Sequence, residues 1–335
     1  MFQRILVPLD GSTRAERAVP VAARLAHASG GVVILVRVVN KSSGFWPFVT
    51  QQITLAQQAL TADLAEAERY LAGVATARDL ADVYTESMVQ FGPTVSTLLA
   101  VADSAHADLI VLCSHGYTGL TRRMMGSVAE NLAREAAMPV LVLREDGPAP
   151  GPDAERPLRA IVPLDGTAGA KEALEPAAHL VAALTGAHPG ILHLVRVVQP
   201  VTARSEVGGM ATASAKARRY LSATAEHIRG GFVAPAVSRL NLTVTWSVVV
   251  DSYVAEALGA RTGETSERAD VFGGGDVIAL VSHRYDGLRR WAMGNVTEHV
   301  LRDSKLPLLI VPSRRRDKWV EDEQEEERDY GAILV

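Results

Sequence analysis

Two short blocks in the first half of the chain combine a carboxylate, hydroxyls and glycines at a spacing that could hold an anionic ligand. The first is Pro8-Leu9-Asp10-Gly11-Ser12, and the second runs from Cys113-Ser114-His115-Gly116 to Gly126-Ser127-Val128. Glycine lets backbone come close to a phosphate, and the first turn of a helix offers free N–H donors with positive partial charge. A carboxylate such as Asp10 can accept hydrogen bonds from ribose hydroxyls or an adenine amine. That is the chemistry of a nucleotide site. The same residues admit a plain structural reading. Ser127-x-x-Glu130 and Asn295-x-x-Glu298 have the form of capping boxes, and Asp10 and Asp165 could each cap the helix that follows. At the level of these residues both readings stand.

Such blocks need elements to position them, and the flanking sequence supplies strands. Ile5–Val7, Val32–Val39, Val83–Val89, Asp108–Cys113 and Val140–Leu143 are short apolar runs, several continuous as buried parallel strands should be. Between them Ala15–Ala28, Gln51–Leu71, Thr94–Ala105 and Ser127–Ala136 are rich in Ala, Leu and Glu and read as helices. Strands alternating with helices imply right-handed crossovers and an open parallel sheet with helices on both faces. In such sheets ligands bind at strand carboxyl ends, beside a topological switch point. Both blocks fall at such ends.

The plan occurs twice. RILVPLDGST (4–13) recurs as RAIVPLDGTA (159–168), and VILVRVV (33–39) as LHLVRVV (192–198). SHGYTGLTRRMMGSVAE (114–130) recurs as SHRYDGLRRWAMGNVTE (282–298), and MPVLVLR (138–144) as LPLLIVP (306–312). The offsets are 155 at Asp10/Asp165, 159 at Val38/Val197 and 168 at Gly126/Gly294, so insertions fall in connectors. This is a tandem duplication. The second copy is expected to place strands at Ile161–Pro163, Ile191–Val198, Val244–Val250, Val277–Val281 and Leu308–Val311. The Pro/Gly-rich stretch EDGPAPGPDAERP reads as a spacer. The expected organisation is a domain over 1–146, a linker over 147–157, a second domain over 158–313 and a charged tail over 314–335.

Composition bounds the function class. The 335 residues are 48% hydrophobic and 21% charged, with 34 Lys plus Arg against 38 Asp plus Glu, a net charge of −4. That balance gives no global attraction for nucleic acid or anionic lipid. One cysteine, Cys113, allows neither an internal disulfide nor a cysteine metal cluster. The amino-terminal stretch is too polar for a signal peptide and no apolar run suits a spanning helix, so a cytoplasmic location is expected.

The pairing of VPLDGS with a glycine loop of form G-x2-G-x9-G-[ST] resembles the universal stress protein family, and both copies look like it. The resemblance implies two Rossmann-like domains of the adenine nucleotide α-hydrolase type, each an open five-stranded parallel sheet. It also implies a stress-response regulator that binds ATP, with or without Mg2+. Pro8 and Asp10 would lie beside the adenosine and Val38 would line the adenine pocket. Gly116, Gly126, Ser127 and the Val128 backbone would hold phosphates. Cys113 stands where the first glycine of the loop pattern falls. In the second copy the loop positions read Val281, Arg284, Gly294 and Asn295, so ATP is expected in the first copy rather than the second.

Other features are bland. Arg122, Arg123, Arg289 and Arg290 read as solvated flanking arginines, His115 and His283 as loop hydrogen-bonders, and Phe45-Trp46-Pro47-Phe48 as an apolar cluster packing on its own domain. Cys113 reads as a small buried residue. No G-x-x-x-x-G-K-[ST], G-x-G-x-x-G, G-x-S-x-G or H-E-x-x-H motif occurs, and no nucleophile has a base at readable spacing. Binding is therefore expected rather than catalysis. The alternatives are an interaction protein of the same fold that binds no nucleotide, and a nucleotide hydrolase or transferase. The apolar last strand of each copy would be an exposed edge unless paired, so the copies are expected to dock as an intramolecular pseudo-dimer, with a homodimer as a further possibility.

Overall fold

The computed structural model describes residues 1–40, 50–114, 126–145, 147–151, 156–185, 189–198, 209–251, 274–282, 300–301 and 304–313. Outside that range lie Gly116 with His115, Arg122 and Arg123, the Phe45–Phe48 cluster, His283, Arg284, Arg289, Arg290, Gly294 and Asn295, and residues 314–335.

The first repeat contributes β1 (Arg4–Pro8), α1 (Thr13–Glu16), α2 (Ala18–Ser29), β2 (Val32–Val39), α3 (Thr50–Ala75), β3 (Tyr84–Phe91), α4 (Thr94–Ser104), β4 (Leu109–Ser114), α5 (Ser127–Glu135) and β5 (Val140–Arg144). The second contributes β6 (Arg159–Pro163), α6 (Leu174–Leu184), β7 (Gly190–Val198), α7 (Gly209–Arg229), β8 (Leu242–Val250), β9 (Val277–Ser282) and β10 (Leu308–Pro312). The strands form one sheet in the order β3-β2-β1-β4-β5-β10-β9-β6-β7-β8. Within each half every pairing is parallel.

The one antiparallel pairing joins the halves. β10 lies against β5 with Leu309 opposite Leu141, Leu308 opposite Val142 and Ile310 opposite Val140. All six side chains are buried. Each apolar last strand is the edge of its own half-sheet, and the pairing removes both edges. One core runs on one face beneath α2, α3, α6 and α7, and another runs on the opposite face beneath α4 and α5, each drawing residues from both repeats.

β4 and β9 are buried at all six positions, which is why their sequences run apolar rather than alternating. They flank β1 and β6 respectively, so the chain reverses its direction of winding between β1 and β4 and between β6 and β9. The crevice at the carboxyl ends there is the switch point of each repeat. No described helix is long and apolar enough to cross a membrane.

Candidate functional site

At the end of β1 the Asp10 carboxylate builds the turn that follows. Its Oδ1 accepts from the Ser12 backbone N–H at 2.9 Å and from the Ser12 hydroxyl at 2.6 Å. Ser12 is itself the N-cap of α1 and accepts from the Ala15 N–H at 3.2 Å. Asp10 therefore does not cap the helix; it holds the residue that does. The second repeat copies this bond for bond: Asp165 Oδ1 accepts from the Thr167 N–H at 2.9 Å and its hydroxyl at 2.7 Å, and Thr167 Oγ1 accepts from the Ala170 N–H.

The turn between Asp10 and Ser12 needs Gly11, whose φ of +91° few L side chains adopt. A Cβ there would also lie 3.1 Å from the Arg37 guanidinium. Arg37 sits near the end of β2 with its guanidinium carbon 4.9 Å from the centroid of the Tyr70 ring, a cation–π contact. The Tyr70 hydroxyl donates to Glu16 at 2.9 Å. Burial, with the Glu16 hydrogen bond and charge behind it, pushes the Tyr70 phenol well above its ordinary pKa.

Across the crevice α5 begins at the second block. The structure corrects the capping-box reading of Ser127. Gly126 occupies the N-cap position, and among the described residues no side chain caps the first turn. Glu130 pairs forward with Arg134 at 2.7 Å instead of reaching back. An (i, i+4) acid–base pair competes for the same carboxylate, and Ser127, one residue inside the helix, is exposed. The first turn of α5, Ser127–Ala129, borders the crevice. Ala129, Leu132 and Ala133 are the buried residues of this helix.

The crevice is a cavity of about 580 Å³. Its walls include seven of the eight positions expected from sequence: Pro8, Asp10, Val38, Cys113, Gly126, Ser127 and Val128. The eighth, Gly116, lies outside the described residues. Burial pushes the Cys113 thiol above its ordinary pKa, which keeps it protonated and a poor nucleophile. Its sulfur is therefore wall, and its small side chain takes up little of the room a glycine would leave.

Among the wall residues the sequence reading missed are the polar ones Arg37 on β2, Asn40 just after it, Asp63 and Glu66 on α3, and Thr94 at the start of α4. A signal for Arg37 existed, since it lies inside the repeated VRVV block. The carboxylates of Asp63 and Glu66 sit three residues apart and so share a helix face, but nothing local tells which face meets the crevice. Among the described residues no group of three or more His, Cys, Asp or Glu side chains is arranged to hold a metal ion. In the second repeat Val281, buried at the end of β9, takes the place of Cys113.

An open α/β sheet with a carboxylate turn on one side of its switch point and a helix start on the other leaves a crevice at the strand carboxyl ends, where open α/β sheets bind their ligands. The chain belongs to the universal stress protein family, whose profile matches it twice, over residues 1–144 and 158–312. A universal stress protein of Methanocaldococcus jannaschii is 29% identical over 153 residues, covering 43% of this chain and 84% of its own. One from Thermus aquaticus is 31% identical over 147 residues, 43% of this chain and 100% of its own. The crystal structure of a universal stress protein from Archaeoglobus fulgidus superposes over 93% of this chain and 99% of its own, with a TM-score of 0.61 and 16% identity, a likeness of fold.

Proposed function

We propose that the first repeat binds an adenine nucleotide, ATP, as a regulatory ligand in a stress-response role. One observation carries this reading: a single cavity of about 580 Å³ gathers the Asp10 turn, the end of β2 and the uncapped start of α5. That volume lies within the ordinary range for small-ligand sites, about 300–1,000 Å³. Asp10, whose Oδ1 already holds Ser12, would accept from ribose hydroxyls. The β2 end at Val38 would pack against the adenine. The N–H groups of Ser127 and Val128 would meet phosphate oxygens, helped by the positive end of the α5 dipole. A Mg2+ ion would arrive on the triphosphate, since no dedicated cage holds one among the described residues.

Binding rather than turnover is the reading we favour. Cys113 is held protonated, and no described histidine lines this cavity. The test is mass spectrometry of the purified, denatured protein for released nucleotide, followed by calorimetric titration of ATP. One ATP per chain is expected. A chain that carries none and gives no heat would leave an interaction protein of this fold.

A further inference from the structure

The two repeats surround equivalent tyrosines with opposite charge. In the first, Tyr70 bonds Glu16 through its hydroxyl and takes Arg37 over its ring. Asp63 and Glu66, on the same helix, line the neighbouring cavity. Matching the repeated blocks puts Asp165 at the position of Asp10, Lys171 at Glu16, Arg196 at Arg37 and Tyr220 at Tyr70. Along AEAERYL (65–71) and AKARRYL (215–221) it puts Lys216 at Glu66, and two residues further back Ala213 at Asp63. At these positions the first repeat carries four carboxylates against one guanidinium. The second carries one carboxylate against three cations.

The structure gathers two of those cations on one ring. Lys171 Nζ lies 5.4 Å and the Arg196 guanidinium carbon 5.2 Å from the centroid of Tyr220, which is only 5% exposed. The two charges are thus within about 11 Å of each other, close to one Debye length at ordinary ionic strength. Neither makes an ion pair among the described residues. Lys216 stands one helical turn before Tyr220 on α7, so it shares that face. A buried aromatic ring holds both heads in place but neutralises neither. A guanidinium and an ammonium held on one ring offer phosphate oxygens a bidentate partner and a point charge. Lys171 also reaches a cavity of about 1110 Å³ between the repeats, whose wall includes Glu172 and Glu175. Those two acids disfavour an anion in that cavity.

We propose that Lys171 and Arg196, held on Tyr220, together with Lys216 one helical turn before it, form a site in the second repeat for a phosphate-bearing polyanion, separate from the nucleotide cavity of the first. The probe is inorganic pyrophosphate, titrated calorimetrically into the full chain at low salt. The intact protein should bind it. Lys216→Glu, at an exposed position, should weaken binding at least threefold with the unfolding midpoint unchanged. The double variant Lys171→Glu/Lys216→Glu, which installs the acids of the first repeat, should weaken it at least tenfold. Saturating adenosine, which carries no phosphate, should leave the affinity unchanged. A chain that binds pyrophosphate but neither adenosine nor ATP keeps this site and loses the nucleotide reading. The proposal is overturned by no binding in the millimolar range, by an affinity the double variant does not change, or by displacement with adenosine.

Discussion

Arg37 stacks on Tyr70 at 4.9 Å while its guanidinium also lies over Gly11, where a Cβ would come within 3.1 Å of it. The turn that presents Asp10 thereby abuts a residue from the neighbouring strand, and Arg37 would have to shift to admit a side chain at position 11.

Gly11→Ala should accordingly act on both stability and binding. The substitution forces φ of +91° on an L side chain and presses a methyl group to about 3.1 Å from Arg37. A cost of about 1–3 kcal/mol is expected from the backbone strain, read from urea unfolding. Nucleotide affinity should fall with it, because Asp10 moves with the turn. An alanine variant as stable as the parent would show that the turn tolerates a side chain at position 11.

Asp10→Ala and Asp165→Ala provide a paired comparison. Their hydrogen bonds to Ser12 and Thr167 are the same to within 0.1 Å, so each should lose similar stability, about 1 kcal/mol for a weakened cap. Their effects on ATP should differ. Asp10→Ala should cost about 1.5–3 kcal/mol of binding, the value of a hydrogen bond to a charged acceptor, and Asp165→Ala close to nothing. Equal losses of affinity in calorimetry would refute the asymmetry.

His193 should make the second repeat acid-sensitive. It is buried on β7, with Nδ1 2.7 Å from the Thr245 hydroxyl and Nε2 2.9 Å from the Ser247 hydroxyl. Burial, and then the charge of Arg159, push its pKa down to about 4. The unfolded chain titrates near 6.5 and so binds more protons between pH 6.5 and 4. The stability contribution is full above 6.5 and is lost as pH falls through this window, about 3 kcal/mol in all. His193→Ile, which installs the residue that stands at this position in the first repeat (Ile34), should flatten the slope of unfolding free energy between pH 4.5 and 6.5. A slope unchanged by the substitution would assign the sensitivity elsewhere.

The seam between the repeats should be a stability determinant. Leu309 and Leu141 face each other, both fully buried, where β10 meets β5. Leu309→Ala opens a cavity at this joint and should cost about 2–5 kcal/mol. Chemical unfolding followed by circular dichroism should show the midpoint move for the whole chain. Loss confined to the second repeat would mean that the seam does not couple the halves.

Much of this protein was legible in its residues alone. The strands and the duplication followed from apolar runs and repeated blocks, because backbone pairing and burial act on short stretches of chain, and seven of the eight residues singled out from sequence line one cavity. Ser127 was misread because a capping box and an uncapped turn differ only in where Glu130 points, and Arg134 one turn later decides that. Asp63 and Glu66 belong to the cavity only because α3 packs across β2 and β3, a long-range fact with no local mark. Likewise the sequence contains Lys171, Arg196 and Tyr220 far apart, and only the parallel sheet brings them onto one ring. Sequence determined which residues are apolar, which turn, and which recur. The tertiary structure decided which charges share a ring or a crevice, because electrostatic interactions depend on distance in space and the chain brings those groups together only when its cores close.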